Sequence, residues 1–177
     1  MRKILSIITA ILFALNLSAC GSFRHEMMST DFDTIANTRF EEIIDALNSK
    51  DSESLKGVFS TNALKEATDI DSGIEYLMGF YKGEIIDKEV AIENDALNNY
   101  GKKTITLRCL YTVTTNEDVY LVFFIDELVD TENPDNEGVY MLQIIKEADR
   151  SKYFDWGYET KCTGIYLPPE ADDSEAN

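Results

Sequence analysis

The hydrophobic spacing of this chain changes once, at Gly83, and does not change back. Before that glycine, apolar residues recur at steps of three and four. Phe32, Ile35, Ala36, Phe40, Ile43, Ile44 and Leu47 form one stripe of a helix that Thr30, Asp31 or Asp33 can cap and that ends near Ser49. A second helix is expected over about Glu53 to Phe59, and a short turn capped by Ser60 or Thr61 runs through Ala67. A further helix, capped by Asp71 or Ser72, carries Ile74, Leu77, Met78 and Tyr81 and stops at Gly83. Beyond Gly83 the period is two. Strands are expected over Glu84–Glu93, Thr104–Thr114, Val119–Ile125, Val139–Lys146 and Cys162–Leu167, with Asn94–Gly101 as a turn region. Helices first and consecutive strands afterwards predict an α+β fold with helices packed on one face of an antiparallel sheet of four to five strands.

Two strands specify the sheet further. Ile105, Leu107, Cys109, Tyr111 and Val113 alternate with Thr104, Thr106, Arg108, Thr112 and Thr114, leaving Leu110 as an exception. Val119–Ile125 is apolar at every position, so it is expected at the centre of the sheet, covered on both sides. The helices cover one face. Thr104, Thr106, Arg108 and Thr112 make the other face largely wet, with Tyr120, Val122 and Phe124 placed within it as an apolar patch. Its cover is either a second copy, giving a weak homodimer, or the aromatic segment Tyr153–Leu167 folded back on it.

The N-terminus carries an address. A basic start, Met1-Arg2-Lys3, precedes an apolar run, Ile4 to Leu15, that is too short to span a membrane. Leu17-Ser18-Ala19-Cys20 resembles the lipobox read by bacterial lipoprotein-processing enzymes. The resemblance implies that residues 1–19 are a signal peptide, that the Cys20 thiol receives a diacylglyceryl group, and that the mature chain is held on the extracytoplasmic face of the cell membrane. Two acyl chains suffice for stable anchoring where one is marginal. Residues 20–30 then form a tether, 31–167 the folded domain and 168–177 an acidic tail.

Charge removes whole classes of function. The chain has 16 basic and 33 acidic residues, a formal net charge of −17. Without Arg2 and Lys3 the mature part is more acidic still. Nucleic-acid binding needs a basic footprint and is excluded as an expectation; an anionic lipid surface would repel the domain, so the lipid holds it while the domain stands off. A cationic partner or substrate is compatible.

Reactive chemistry is sparse. His25 is the single histidine and lies on the tether. No metal-ligand spacing, phosphate loop or nucleophile elbow is present, and no cofactor is expected; the acidic stretch from Asp126 to Glu137 lacks the calcium-loop pattern. Cys109 and Cys162 are a candidate disulfide in an exported protein, or two buried thiols. Trp156 and Tyr158, in an aromatic stretch with Tyr153 and Phe154, are candidate ligand contacts or core.

Leu55-Lys56-Gly57-Val58-Phe59-Ser60, followed by Ile74…Phe80-Tyr81-Lys82-Gly83-Glu84-Ile85, resembles a family of lipobox-bearing proteins from Gram-positive bacteria known only as a domain of unknown function. The order of elements is also similar to the nuclear transport factor two-like (cystatin-like) superfamily. That resemblance implies helices in the concave face of a curved sheet, a cone, often dimerised through the opposite face. It implies no reaction. A non-catalytic module that binds a protein or small molecule is the first expectation. The alternative is a small-substrate enzyme with an acid–base pair in the cone, for which Asp126 at the cone mouth and inward-facing Tyr111 are the catalytic candidates.

Overall fold

A computed structural model describes residues 31–169. The chain divides into two units, Met1–Phe32 and Asp33–Asn177, and the sheet and, from Asp33 onward, the helices belong to the second. The expected signal peptide and tether, with Cys20 and His25, and the expected acidic tail beyond Pro169 lie outside the described residues.

Four helices come first: α1 (Phe32–Ser49), α2 (Ser52–Gly57), α3 (Thr61–Glu66) and α4 (Ile70–Phe80). The stripe on α1 is buried at Ala36, Phe40, Ile43, Ile44 and Leu47. Short polar side chains start the others. Asp51 Oδ1 accepts from Ser54 N at 3.0 Å, and Ser60 Oγ from Ala63 N at 3.0 Å. Asp69 Oδ1 accepts from Ser72 N at 3.1 Å, so Asp69 caps α4 in place of the expected Asp71. The second helix is shorter than its apolar residues suggest. Val58–Ser60 leaves it to bond along a strand instead: Val139 N donates to Val58 O and Ser60 N to Val139 O.

Five strands follow in spatial order β1-β2-β3-β4-β5: Ile85–Asn99, Lys102–Thr115, Val119–Asp130, Gly138–Lys146 and Gly164–Tyr166. The first four pair antiparallel; short β5 joins β4 in parallel. Register shifts at Ile105/Thr106 and Ile125/Asp126 are bulges that curve the sheet. The fold is thus the expected α+β arrangement, mostly antiparallel and open. A helical turn, α5 (Arg150–Tyr153), lies between β4 and β5.

Two expectations are corrected. Asn94–Asn99 is strand rather than turn, because Tyr100 and Gly101, at φ 53° and 87°, make a two-residue turn that lets β1 pair with β2 out to Asn99↔Lys102. The facing of β3 is also reversed. Val113, Tyr111 and Cys109 oppose Tyr120, Val122 and Phe124, so these six share the helix side. Tyr111 stacks on Phe40 of α1 at 4.1 Å, and Tyr120 packs on Tyr81 at 4.9 Å. It is Leu121, Phe123 and Ile125 that point away from the helices. They form a second core with Leu110, Met141 and Ile145. Strand alternation within Val119–Ile125 carries no phase when every residue is apolar, so only pairing with β2 decides it.

The C-terminal segment covers that second core. Tyr153, Phe154, Trp156, Cys162 and Tyr166 pack against it. Phe123 meets Phe154 at 5.3 Å and Trp156 at 6.1 Å between ring centres, both edge-on. Gln143 Nε2 donates to Tyr153 O at 2.9 Å. Asp155 locks the loop by accepting from Gly157 N at 3.0 Å and Thr160 N at 2.9 Å. The folded-back segment is therefore the cover of the apolar outer face. β3 is buried on both sides, as its composition predicts, and each fully buried Phe or Leu there contributes about 2–3 kcal/mol.

Candidate functional site

The side chain that a sheet interior tolerates least is Asp126. Its position on β3 continues the phase of Val122 and Phe124, so it points toward the helices, and it is 1% exposed. A buried carboxylate must be paired or become neutral. Arg39 reaches across from α1, and its Nε donates to Asp126 Oδ2 at 2.9 Å; its Nη1 donates to Glu42 at 2.7 Å. Asp126 Oδ1 is buried with no hydrogen-bond partner. Burial pushes the Asp126 carboxyl above its usual range, and the Arg39 charge opposes that shift without cancelling it. The expectation of a carboxylate at the cone mouth is thus replaced by a buried, ion-paired one. A cleft of about 310 Å³ runs past it, lined by Arg39, Gly57, Val58, Asp126, Glu127 and Gly138. Gly138 has φ 123°, and a Cβ there would lie 2.9 Å from Ser60 N, so the close approach of Val58–Ser60 that walls the cleft needs this glycine.

Tyr111 is fully buried in the same face, four residue pairs along the β2–β3 ladder. Its hydroxyl donates to Asn37 Oδ1 at 3.3 Å, and burial pushes its ionisation well above the ordinary tyrosine range. Its ring lies between Phe40 and Phe124, at 4.1 and 6.1 Å. Asp126 and Tyr111 therefore share a face but not a partner: one is held by Arg39, the other by Asn37. The space between α1 and the sheet at Tyr111 is filled with side chains.

The two cysteines fall on opposite faces of the sheet. Cys109 is on the helix side, fully buried, with its thiol pushed up to about 12 by burial and by the Asp126 charge. Cys162 packs on the outer core with Phe123 and Met141. Both are free thiols, because the sheet lies between them. Trp156 is half-buried in the cover over Phe123, with φ 60° placing it at the tight turn before Gly157. Tyr158 is 67% exposed, and the Arg108 guanidinium lies 5.6 Å from its ring. Among the described residues no group of three or more His, Cys, Asp or Glu is arranged to hold a metal ion. The acidic loop after β3 is instead organised by Asp130, whose carboxylate accepts from Glu132 N, Asn133 N and Asn136 Nδ2.

Sequence reasoning misses Arg39. A basic residue beside the apolar stripe of a helix, three before Glu42, reads as a surface pair, and nothing local links it to a position 87 residues away. It also misses Lys88, whose Nζ sits 4.8 Å from the Phe40 ring centre and 5.9 Å from that of Tyr111.

No curated protein matches the chain. A family described as a domain of unknown function (DUF5104) matches residues 42–147, from the middle of α1 to the end of β4. That stretch contains Asp126, Tyr111, Cys109 and the whole of β1, β2 and β3. With more than half of its length matched, this chain belongs to the DUF5104 family.

Proposed function

We propose that the protein is a lipoprotein anchored through Cys20 on the extracytoplasmic face of the cell membrane, and that its domain binds a partner by its surface rather than catalysing a reaction. The anchor half of this reading rests on Leu17-Ser18-Ala19-Cys20 following a basic and then an apolar segment. Among the described residues no helix is long and apolar enough to cross a membrane. Helices preceding a curved antiparallel sheet are in keeping with a nuclear transport factor two-like cone. The observation that carries the binding half is the filled interior: Phe40, Tyr111 and Phe124 occupy the space an enclosed substrate pocket would need. The enzymatic alternative, with Asp126 and Tyr111, has one point in its favour, the unpartnered Oδ1 of Asp126 beside a cleft.

The test of the anchor is processing. Wild-type chain expressed in a bacterium matures, gains the mass of a diacylglyceryl group and sediments with membranes. Cys20→Ser remains an unprocessed precursor. Mature-sized Cys20→Ser protein in the membrane fraction would overturn the anchor. For the binding half, Asp126→Asn and Tyr111→Phe are expected to leave the biological role of the anchored protein intact in a deletion strain. Loss of that role with unchanged folding would return the enzymatic reading.

A further inference from the structure

β1 is an edge strand. It pairs with β2 on one side, and among the described residues nothing pairs with the other. Along an antiparallel edge, alternate residues turn their N–H and C=O groups outward, so a regular stretch from Asp87 to Asn99 offers a row of unmet hydrogen-bonding groups. Proteins guard such an edge against unselective pairing with short strands or with charged side chains, and β1 uses charge. This one is 15 residues long, and its charges are sorted by face.

The register makes the sorting visible. Asp87, Glu89, Glu93 and Asp95 oppose Thr114, Thr112, Arg108 and Thr106, so all four project on the outer side of the sheet. None of them has an ion pair with another described residue; the guanidinium of Arg108 lies over Tyr158. The alternate positions Val90 and Ile92 oppose Tyr111 and Cys109 on the helix side, and Val90 is 45% exposed. At the start of the strand a groove of about 530 Å³ opens between β1 and α1, with an apolar floor at Phe40, Ile44 and Ile85 and a rim of Glu41, Asp45, Asp87 and Lys88, whose Nζ lies 3.9 Å from Glu41.

We infer that β1 is a docking edge for an extended segment of a partner protein in which basic and apolar residues alternate. The segment adds as a sixth strand. Its basic side chains lie over the carboxylates at 87, 89, 93 and 95, and its apolar side chains lie beside Val90 and Ile92. Main-chain hydrogen bonds hold such a segment, and alternate side chains select it. A second copy of this chain is disfavoured as the occupant, because two acidic ladders would face each other in a molecule of formal charge −17. The inference rests on the surface-binding reading above and gives it a partner class.

The test is a titration of the full chain in detergent with three synthetic octapeptides: one alternating lysine and valine, one alternating glutamate and valine, and the lysine–valine peptide N-methylated at alternate amides. The lysine–valine peptide is expected to bind, more weakly as salt is raised. The N-methylated peptide and the Glu89→Lys/Glu93→Lys variant are each expected to weaken binding about ten-fold or more, and the glutamate–valine peptide not to bind. The two reversed side chains are exposed, so the urea midpoint of the variant should match wild type. If it does not, amide shifts on titrating wild type must be confined to 87–97 and their neighbours on β2. Equal binding of the N-methylated peptide, undiminished binding to a folded Glu89→Lys/Glu93→Lys chain, shifts elsewhere, or self-association that occupies the edge would each overturn the inference. Lipidation at Cys20 does not enter this titration, so failure of the anchor and failure of the docking edge are read separately.

Discussion

β3 and β1 are strands of one sheet, 12 and 15 residues long and separated only by β2, yet they live in opposite environments. β3 is buried on both faces from Tyr120 to Asp126, under helices on one side and the Tyr153–Tyr166 cover on the other. β1 is exposed over most of its length. β3 is hydrogen-bonded on both sides, to β2 and β4, and β1 to β2 alone, but pairing by itself does not decide which side chains are covered. The difference lies in what the side chains make available to cover. Val119–Ile125 gives apolar groups to both faces, and each face recruits its own layer. Over Asp87–Asp95 the outer positions are mostly carboxylates, which an apolar layer cannot cover without stranding charge, so that strand stays open to water. Stability is concentrated in one strand, and the proposed recognition surface lies on the other.

A charge at the centre of β3 should do the most damage. Phe123→Asp leaves an unpaired carboxylate between Phe154 and Trp156, at a cost of about 4 kcal/mol or more. Urea unfolding is expected to show a chain without a cooperative transition, and an unchanged midpoint would mean β3 is not doubly covered. The Arg39–Asp126 pair comes next. Arg39→Met strands the Asp126 carboxylate and should cost about 3 kcal/mol at neutral pH, the low end for a broken buried pair because Arg39 is 26% exposed. The sign of its pH dependence follows from the raised carboxyl. Folded Asp126 holds its proton more tightly than the unfolded chain does, so stability from this group falls as pH rises from about 4 through the folded value. Loss of Arg39 raises that value further. The deficit of Arg39→Met should therefore shrink on acidification, as measured by urea midpoints across pH, whereas a purely steric role for Arg39 would leave it constant.

Smaller effects sharpen the contrast. Trp156→Ala thins the outer cover and should cost about 2 kcal/mol, less than a fully buried tryptophan because its indole is only partly buried. Dye binding to the uncovered Leu121–Phe123 face is the accompanying signal. Val90→Thr on β1 should change the unfolding free energy by no more than about 0.5 kcal/mol. A cost of 2 kcal/mol there, on the order of a core truncation, would mean that something covers the edge.

The sequence and the structure agree where periodicity carries phase. The stripe on α1 and the alternation of Ile105 to Val113 each name their buried face, and both are buried there. They part where it does not. Val119–Ile125 announces burial without saying which residues face which layer, so its sequence places the patch at Tyr120, Val122 and Phe124 when Leu121, Phe123 and Ile125 carry it. Asp126 is legible as the residue that ends an apolar run, but its burial depends on Arg39, a contact no local pattern encodes. The separation of Cys109 and Cys162 follows from the same phase: strand parity puts Cys109 with Tyr111, and only the path of the C-terminal segment puts Cys162 across the sheet. The acidic ladder of β1 stands in plain sight at alternate positions, yet the asparagines of 94–99 carry the composition of a turn and hide the length of the strand.

Native-state hydrogen exchange on the full chain compares the two strands directly. If β3 is covered on both faces and β1 is an open edge, the amides of Tyr120–Ile125 exchange only through global unfolding, while alternate amides from Asp87 to Asn99 exchange orders of magnitude faster. Uniform protection along β1, equal to that of β3, would contradict the assignment of an open edge and with it the surface on which binding is placed.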